Sequence, residues 1–145
     1  MANDGVVDKF VGDEAIGLFL PGFSGADHAR KAIAAGRAIL EAASRTDASP
    51  SGPIRVGGGV HTGLAYVGSL GSSEQISDFT ALGDSVNTTA RLASLAEAGE
   101  LLVSVATTER AGLDPRDLER RTVDLRGREA GLDVYTVRAD TKATA

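Results

Sequence analysis

Apolar residues recur along the chain in short runs separated by Gly, Pro and polar clusters, and their spacing predicts short strands alternating with amphipathic helices. Val6 to Val11 reads as a strand, Gly12-Asp13 as a turn and Ala15 to Leu20 as a second strand, together a hairpin. The second strand is apolar on both faces, which predicts burial on both. Pro21-Gly22 ends it. Ser24 is placed to cap a helix running to about Ser44, with Ala29, Ile33, Gly36, Leu40 and Ala43 on one face. Asp47 to Pro53 is a polar loop.

Ile54 to Val60 and Leu64 to Val67 read as strands around the turn His61-Thr62-Gly63, and Gly68 to Ser77 as a Gly/Ser-rich excursion. Asp84 or Ser85 is placed to cap a helix carrying Val86, Ala90, Ala93 and Ala96. Leu101 to Ser104 reads as a strand and Ala106 to Ala111 as a short helix. Asp114 to Arg121 reads as a solvated, charge-alternating segment. Thr122 to Leu125 and Leu132 to Val137 read as a last pair of strands, and 139–145 as a disordered tail. This order predicts an α+β domain, a sheet with helices on one face.

Composition narrows the class. A chain of 145 residues, 42% hydrophobic, fits one domain with a packed core. No apolar run is long enough to span a bilayer, and no signal peptide is visible. The absence of cysteine removes disulfides and thiolate metal sites and fits a cytoplasmic location. A net charge of -5 without a basic stripe argues against nucleic-acid binding.

Two clusters could carry chemistry. In Lys9-Phe10-Val11-Gly12-Asp13, an Asp at a hairpin tip beside a Gly suits a divalent cation, and Lys9 could reach the same pocket. The same residues also read as a surface turn and a solvated Lys. In the stretch from Thr80 to Arg91, Asn87 and Arg91 stand four apart on one helix face near its N-terminus, where an amide and a guanidinium could read a ribose and a phosphate. A capped helix with a wet face is the alternative. His28 reads as solvated and His61 as a hydrogen-bonded structural residue. Gly57-Gly58-Gly59 opens no helix, so close packing explains it better than a phosphate loop.

Taken in order, several stretches resemble the class III adenylate/guanylate cyclase catalytic domain. They are Gly5 to Asp13, Val60-His61-Thr62-Gly63, Phe79 to Asn87, Ala90-Arg91-Leu92, Val123 to Gly127, and Val134-Tyr135. The likeness runs over residues 5–138 and implies the ferredoxin-like, palm-like fold of that family. It implies that Asp13 binds metal and that Lys9 and Thr80 read the purine, as in the Lys/Thr bacterial subgroup. It implies that Asn87 orients the ribose, that Arg91 stabilises charge on the α-phosphate, and that Arg126 stands where a Lys usually holds the terminal phosphates. It implies ATP as substrate, two Mg²⁺ or Mn²⁺ ions, and an antiparallel homodimer, or a pairing with a related cyclase domain, in which one protomer supplies Lys9 and Asp13 and the other Asn87 and Arg91.

The family's first strand, which bears the other metal aspartate, and two helices normally precede the Lys9 strand. The expectation is therefore a domain incomplete at its N-terminus, since Asp4 and Asp8 stand too close to Lys9 to replace that aspartate. The function implied is synthesis of cyclic AMP from ATP for intracellular signalling. The alternative is a catalytically deficient dimerisation or nucleotide-binding module. A diguanylate cyclase is weaker still, because Gly12-Asp13-Glu14 is its single hint and the Gly-Gly-Asp-Glu-Phe loop is absent.

Overall fold

The structure, a computed structural model, describes residues 3–46, 50, 52–70 and 78–140. Its centre is the strand β6 (Glu100–Ser104), all five residues of which are buried. Leu101, Leu102 and Val103 are apolar in succession, so both faces of this strand need cover. The four-stranded sheet runs β3 (Gly58–Val60), β6, β8 (Leu132–Arg138), β7 (Glu119–Val123), with β3 parallel to β6 and the other pairs antiparallel. Helix α2 (His28–Arg45) covers one face. Its Ala29, Ile33 and Leu40 pack with Leu101, Val103 and Val137, and Ala111 of α4 (Val105–Ala111) joins them. On the other face Leu92 of α3 (Asp84–Leu95) packs with Leu102, Val123, Leu125 and Val134. The expected α+β class holds. α2 and α4 are the helices on one face, and α3 adds a cover on the other.

Two two-stranded ribbons stand beside this sheet: β1 (Val6–Val11) with β2 (Glu14–Leu18), and β4 (Tyr66–Leu70) with β5 (Asp78–Leu82), both antiparallel. The first is the predicted hairpin, but β2 alternates half-buried and exposed positions instead of being buried on both faces. A ribbon paired along one edge leaves much of its apolar surface uncovered, and Phe10 is 75% exposed. The strands expected to meet around His61-Thr62-Gly63 do not pair with each other. β3 joins β6, and β4 joins β5, a strand that the sequence pattern does not announce. The Gly/Ser excursion begins inside β4, and its residues 71–77 lie outside the described set, as do 141–145 of the expected tail.

Local chemistry moved three helix starts. A one-turn helix α1 (Pro21–Ser24) precedes α2, and Gly25 (φ 78°) separates the two, so Ser24 caps nothing. Its hydroxyl donates instead to the Asp4 carbonyl at 2.7 Å, and His28 is buried, not solvated. α3 starts from Gly83 (φ 132°), whose carbonyl accepts from Val86 and Asn87, so Asp84 becomes the first helical residue and favours the dipole from there. α4 is capped by Ser104, whose Oγ accepts from the Thr107 amide at 3.3 Å. The segment expected to be solvated divides into a 3₁₀ turn (Pro115–Asp117) and the start of β7, where Arg121 reaches the buried Glu100 at 3.1 Å.

The Gly57-Gly58-Gly59 run packs closely, as expected. A Cβ on Gly59 would stand 2.6 Å from the Ala93 amide nitrogen and 2.8 Å from the Thr89 carbonyl oxygen of α3. Backbone cannot yield as a side-chain tip can. Gly59→Ala is expected to lower unfolding stability by about 1–3 kcal/mol, the overpacking range, read as a shifted denaturant midpoint at unchanged slope.

Candidate nucleotide site

Strand β1 carries an irregularity that shapes the site. Val7 pairs with Gly17 and Lys9 with Ile16, so Asp8 is an extra residue between consecutive partners. Neighbours on a regular strand point to opposite faces, and a bulge re-aims them. Here Asp8 and Lys9 converge, with Lys9 Nζ 3.7 Å from Asp8 Oδ2. Lys9 Nζ also donates to Thr80 Oγ1 of β5 at 2.6 Å, which ties the two ribbons together at residues 71 apart in sequence. Thr80 Oγ1 donates in turn to Asp8 Oδ2 at 3.4 Å. The Asp8 side chain is only 2% exposed, whereas Lys9 keeps 43% of its own in the open. The site thus has a buried carboxylate at its base and a partly exposed ammonium above it.

Asp13 stands at the tip of the hairpin, in the two-residue loop that Gly12 opens at φ 62°. It is exposed. Among the described residues no three His, Asp or Glu side chains gather closely enough to hold a metal ion. Asp13 is a single carboxylate, and the described residues do not by themselves fit a two-ion clamp.

Asn87 and Arg91 lie on α3, which follows β5 after one residue, so Thr80 and this helix are linked by a short, tight connection. Asn87 is exposed and Arg91 half-buried. Arg91 Nε is buried and has no hydrogen-bond partner among the described residues. No hydrogen bond or ion pair among those residues joins Asn87 or Arg91 to Lys9, Thr80 or Asp13. Arg126 is exposed in the loop after β7. Two residues on, Arg128 forms an ion pair with Asp84 at the start of α3. Neither residue type nor spacing marks Arg128 in the sequence. In the sequence Asp8 stands out only as a carboxylate too near Lys9 to replace the family's other metal aspartate. Its one signal is a carboxylate inside a strand whose other residues, Lys9 apart, are apolar.

His61 has the structural role expected of it. Its Nδ1 is 2.8 Å from Ser104 Oγ, the cap of α4. Burial, with a smaller contribution from the Arg128 charge, pushes its pKa below the ordinary 6.5, against a weaker opposing pull from Asp84. A His whose folded pKa is depressed leaves the unfolded state binding more protons. Stability is therefore full above pH 6.5 and falls as pH drops below it toward the folded value. His61→Gln is expected to flatten that part of a stability-against-pH profile. An unaltered slope in the variant would assign the acid loss to other groups.

Several solved structures share this architecture. The guanylyl cyclase Cya2 superposes with a TM-score of 0.80 at 27% identity, covering 94% of this chain and 71% of that one. The adenylyl cyclase CyaB from P. aeruginosa superposes at 0.71 with 26% identity, covering 99% and 76%. The fold is that of a nucleotide cyclase domain. The profile of the family described as "Adenylate and Guanylate cyclase catalytic domain" matches residues 11–139, and the chain belongs to that family. Among curated relatives, Adenylate cyclase 1 of Rhizobium meliloti (strain 1021) is 30% identical over 94% of this chain. The adenylate cyclase of Anabaena cylindrica is 28% identical over 93%. The chain spans 21% of the first protein's length and 28% of the second's. Among the described residues no helix is long and apolar enough to cross a membrane.

Proposed function

We propose that this chain is the cyclising domain of an adenylate cyclase, turning ATP into 3′,5′-cyclic AMP and pyrophosphate in the cytoplasm for signalling. The observation that carries the choice of purine is the Lys9–Thr80 pair, 2.6 Å apart. Adenine N1 is an acceptor and takes a hydrogen bond from the Lys9 ammonium. The N6 amine is a donor and suits the Thr80 oxygen. Guanine reverses both edges, with an N1–H facing the ammonium. The named relatives agree on adenylate cyclase, while the solved structures include guanylyl cyclases, so this pair is what favours ATP.

In the reaction the 3′-oxygen forms a bond to the α-phosphorus as the bond to the pyrophosphate oxygen breaks, and the 3′-hydroxyl proton leaves. Asn87 orients the ribose. Arg91 stabilises the charge that builds on the α-phosphate. Arg126 binds the terminal phosphates as a planar fork in place of a Lys. Asp13 contributes one carboxylate toward Mg²⁺ or Mn²⁺, and completing a two-ion site requires ligands beyond the described residues. Lys9 and Asp13 of one protomer face Asn87 and Arg91 of an antiparallel second copy. The exposed Phe10 and Val11 beside Asp13 support burial of that ribbon against a partner.

The test is cyclic AMP formation from ATP by the intact protein with Mg²⁺ or Mn²⁺. ATP binding without product under both ions would leave the other reading, a nucleotide-binding or dimerisation module, which the lone Asp13 carboxylate favours.

A further inference from the structure

Thr80 is 4% exposed, so its hydroxyl proton needs an acceptor inside the protein. Two groups bond to Oγ1, the Lys9 ammonium at 2.6 Å and the Asp8 carboxylate at 3.4 Å. An ammonium has no lone pair to accept with, and an ionised carboxylate has no proton to give. The directions are therefore forced. Lys9 donates to Thr80, and Thr80 donates to Asp8. The distance to Asp8 is long for an O–H···O bond. Among the described residues Asp8 is nonetheless the acceptor within reach, and the β1 bulge is what brings it there.

We propose that Asp8 is a specificity-positioning residue: by holding the Thr80 proton it leaves Thr80 Oγ1 able only to accept from a purine's 6-substituent. A free threonine hydroxyl rotates and can donate or accept, and by itself discriminates weakly between an amine and a carbonyl. With its proton committed to Asp8 and one lone pair to Lys9, it has one lone pair left. That lone pair matches the N6–H of adenine and repels the O6 of guanine. Asp8 never touches the nucleotide. It acts through Thr80, and it also anchors Lys9, which reads N1. Its Oδ1 is buried without a partner among the described residues, and Oδ2 is shared by the Thr80 hydroxyl and the more distant Lys9 ammonium. The inference rests on the purine-pocket reading of Lys9 and Thr80 given above.

A pair of probes isolates the 6-position. N6-methyl-ATP and 6-O-methylinosine triphosphate both keep an acceptor at N1 and are of similar size, but one offers a donor at position 6 and the other an acceptor. Competition of each against ATP is measured on the intact protein. The natural protein is expected to favour the N6-methyl compound by about 5–10-fold, the worth of one hydrogen bond. Asp8→Ala frees the Thr80 proton and brings the ratio toward one. Asp8→Asn, whose amide oxygen can still accept, retains the preference although the ion pair to Lys9 is gone. In a Thr80→Val background, Asp8→Ala has no further effect on the ratio.

No preference in the natural protein overturns the proposal without recourse to any variant. So does an Asp8→Ala effect of the same size in the Thr80→Val background, which would show Asp8 acting by another route. If Thr80→Val leaves the ATP-to-GTP ratio unchanged, the purine-pocket reading itself fails. If it changes that ratio while Asp8→Ala leaves the probe ratio intact, the pocket reading stands and only the role of Asp8 is lost.

Discussion

Arg91→Ala is expected to lower cyclic AMP formation by about 10²–10³-fold while changing ATP affinity little. Charge accumulates on the α-phosphate as the 3′-oxygen closes on phosphorus, and a guanidinium aimed there acts more strongly on the transition state than on bound ATP. The fold prepares it. Arg91 stands one helical turn after Asn87 on α3, and its Nε is buried with no partner among the described residues, so a donor remains unspent. Arg91→Lys keeps the charge but loses the planar fork, and should recover only part of the rate. The same variant tests the shared cleft. Mixed with Lys9→Glu, itself inactive on ATP, Arg91→Ala should regain activity, because half of randomly paired dimers carry one intact site of two. The expected recovery is about a quarter of the natural rate in a symmetric homodimer. An inert mixture of co-folded chains would mean that each protomer must hold the whole set.

Lys9→Glu combined with Thr80→Cys is expected to turn the preference from ATP toward GTP, with a change in the ratio of kcat/KM of at least about 10²-fold. Two hydrogen bonds reverse polarity, and a site built on buried polar groups rejects a mismatched edge strongly. The introduced carboxylate accepts from guanine N1–H, and the introduced thiol can donate weakly to O6. The structure adds a cost. The 2.6 Å bond between Lys9 and Thr80 is lost, and the new carboxylate faces Asp8, which is 2% exposed. Like charges in a poorly solvated place repel, so the switch should come with lower total turnover and a lower melting temperature. An unchanged ATP preference in a folded double variant would remove both residues from the purine pocket.

Much of the fold was legible because period and punctuation carry it. The apolar face of α2 follows from its 3.6-residue spacing, and Ala29, Ile33, Leu40 and Ala43 are all buried. The β1–β2 hairpin follows from two short runs around Gly12-Asp13. Pairing partners are not encoded locally, so β3 and β4 read as one hairpin when each belongs to a different sheet. β5 stands between the Gly/Ser-rich excursion and the Gly83 helix start, and its Asp78 and Thr80 interrupt the apolar run by which the other short strands are read. His28 lies in a polar stretch of sequence, yet the turn of chain through Gly25 places it in the interior.

For the candidate site the division is similar. By itself the sequence determined which residue types are available and their spacing within one element: Lys9 before Asp13 on a hairpin, and Asn87 and Arg91 on one face of a helix. Those follow from bond geometry, since four residues of strand or helix have fixed reach. The family resemblance had joined Lys9 and Thr80, but the tertiary structure alone decided their direct 2.6 Å contact across 71 residues, and that a one-residue bulge turns Asp8 inward beside them. Such contacts depend on which strand edges come together, and that choice is made by the packing of the whole chain, not by any short stretch of it.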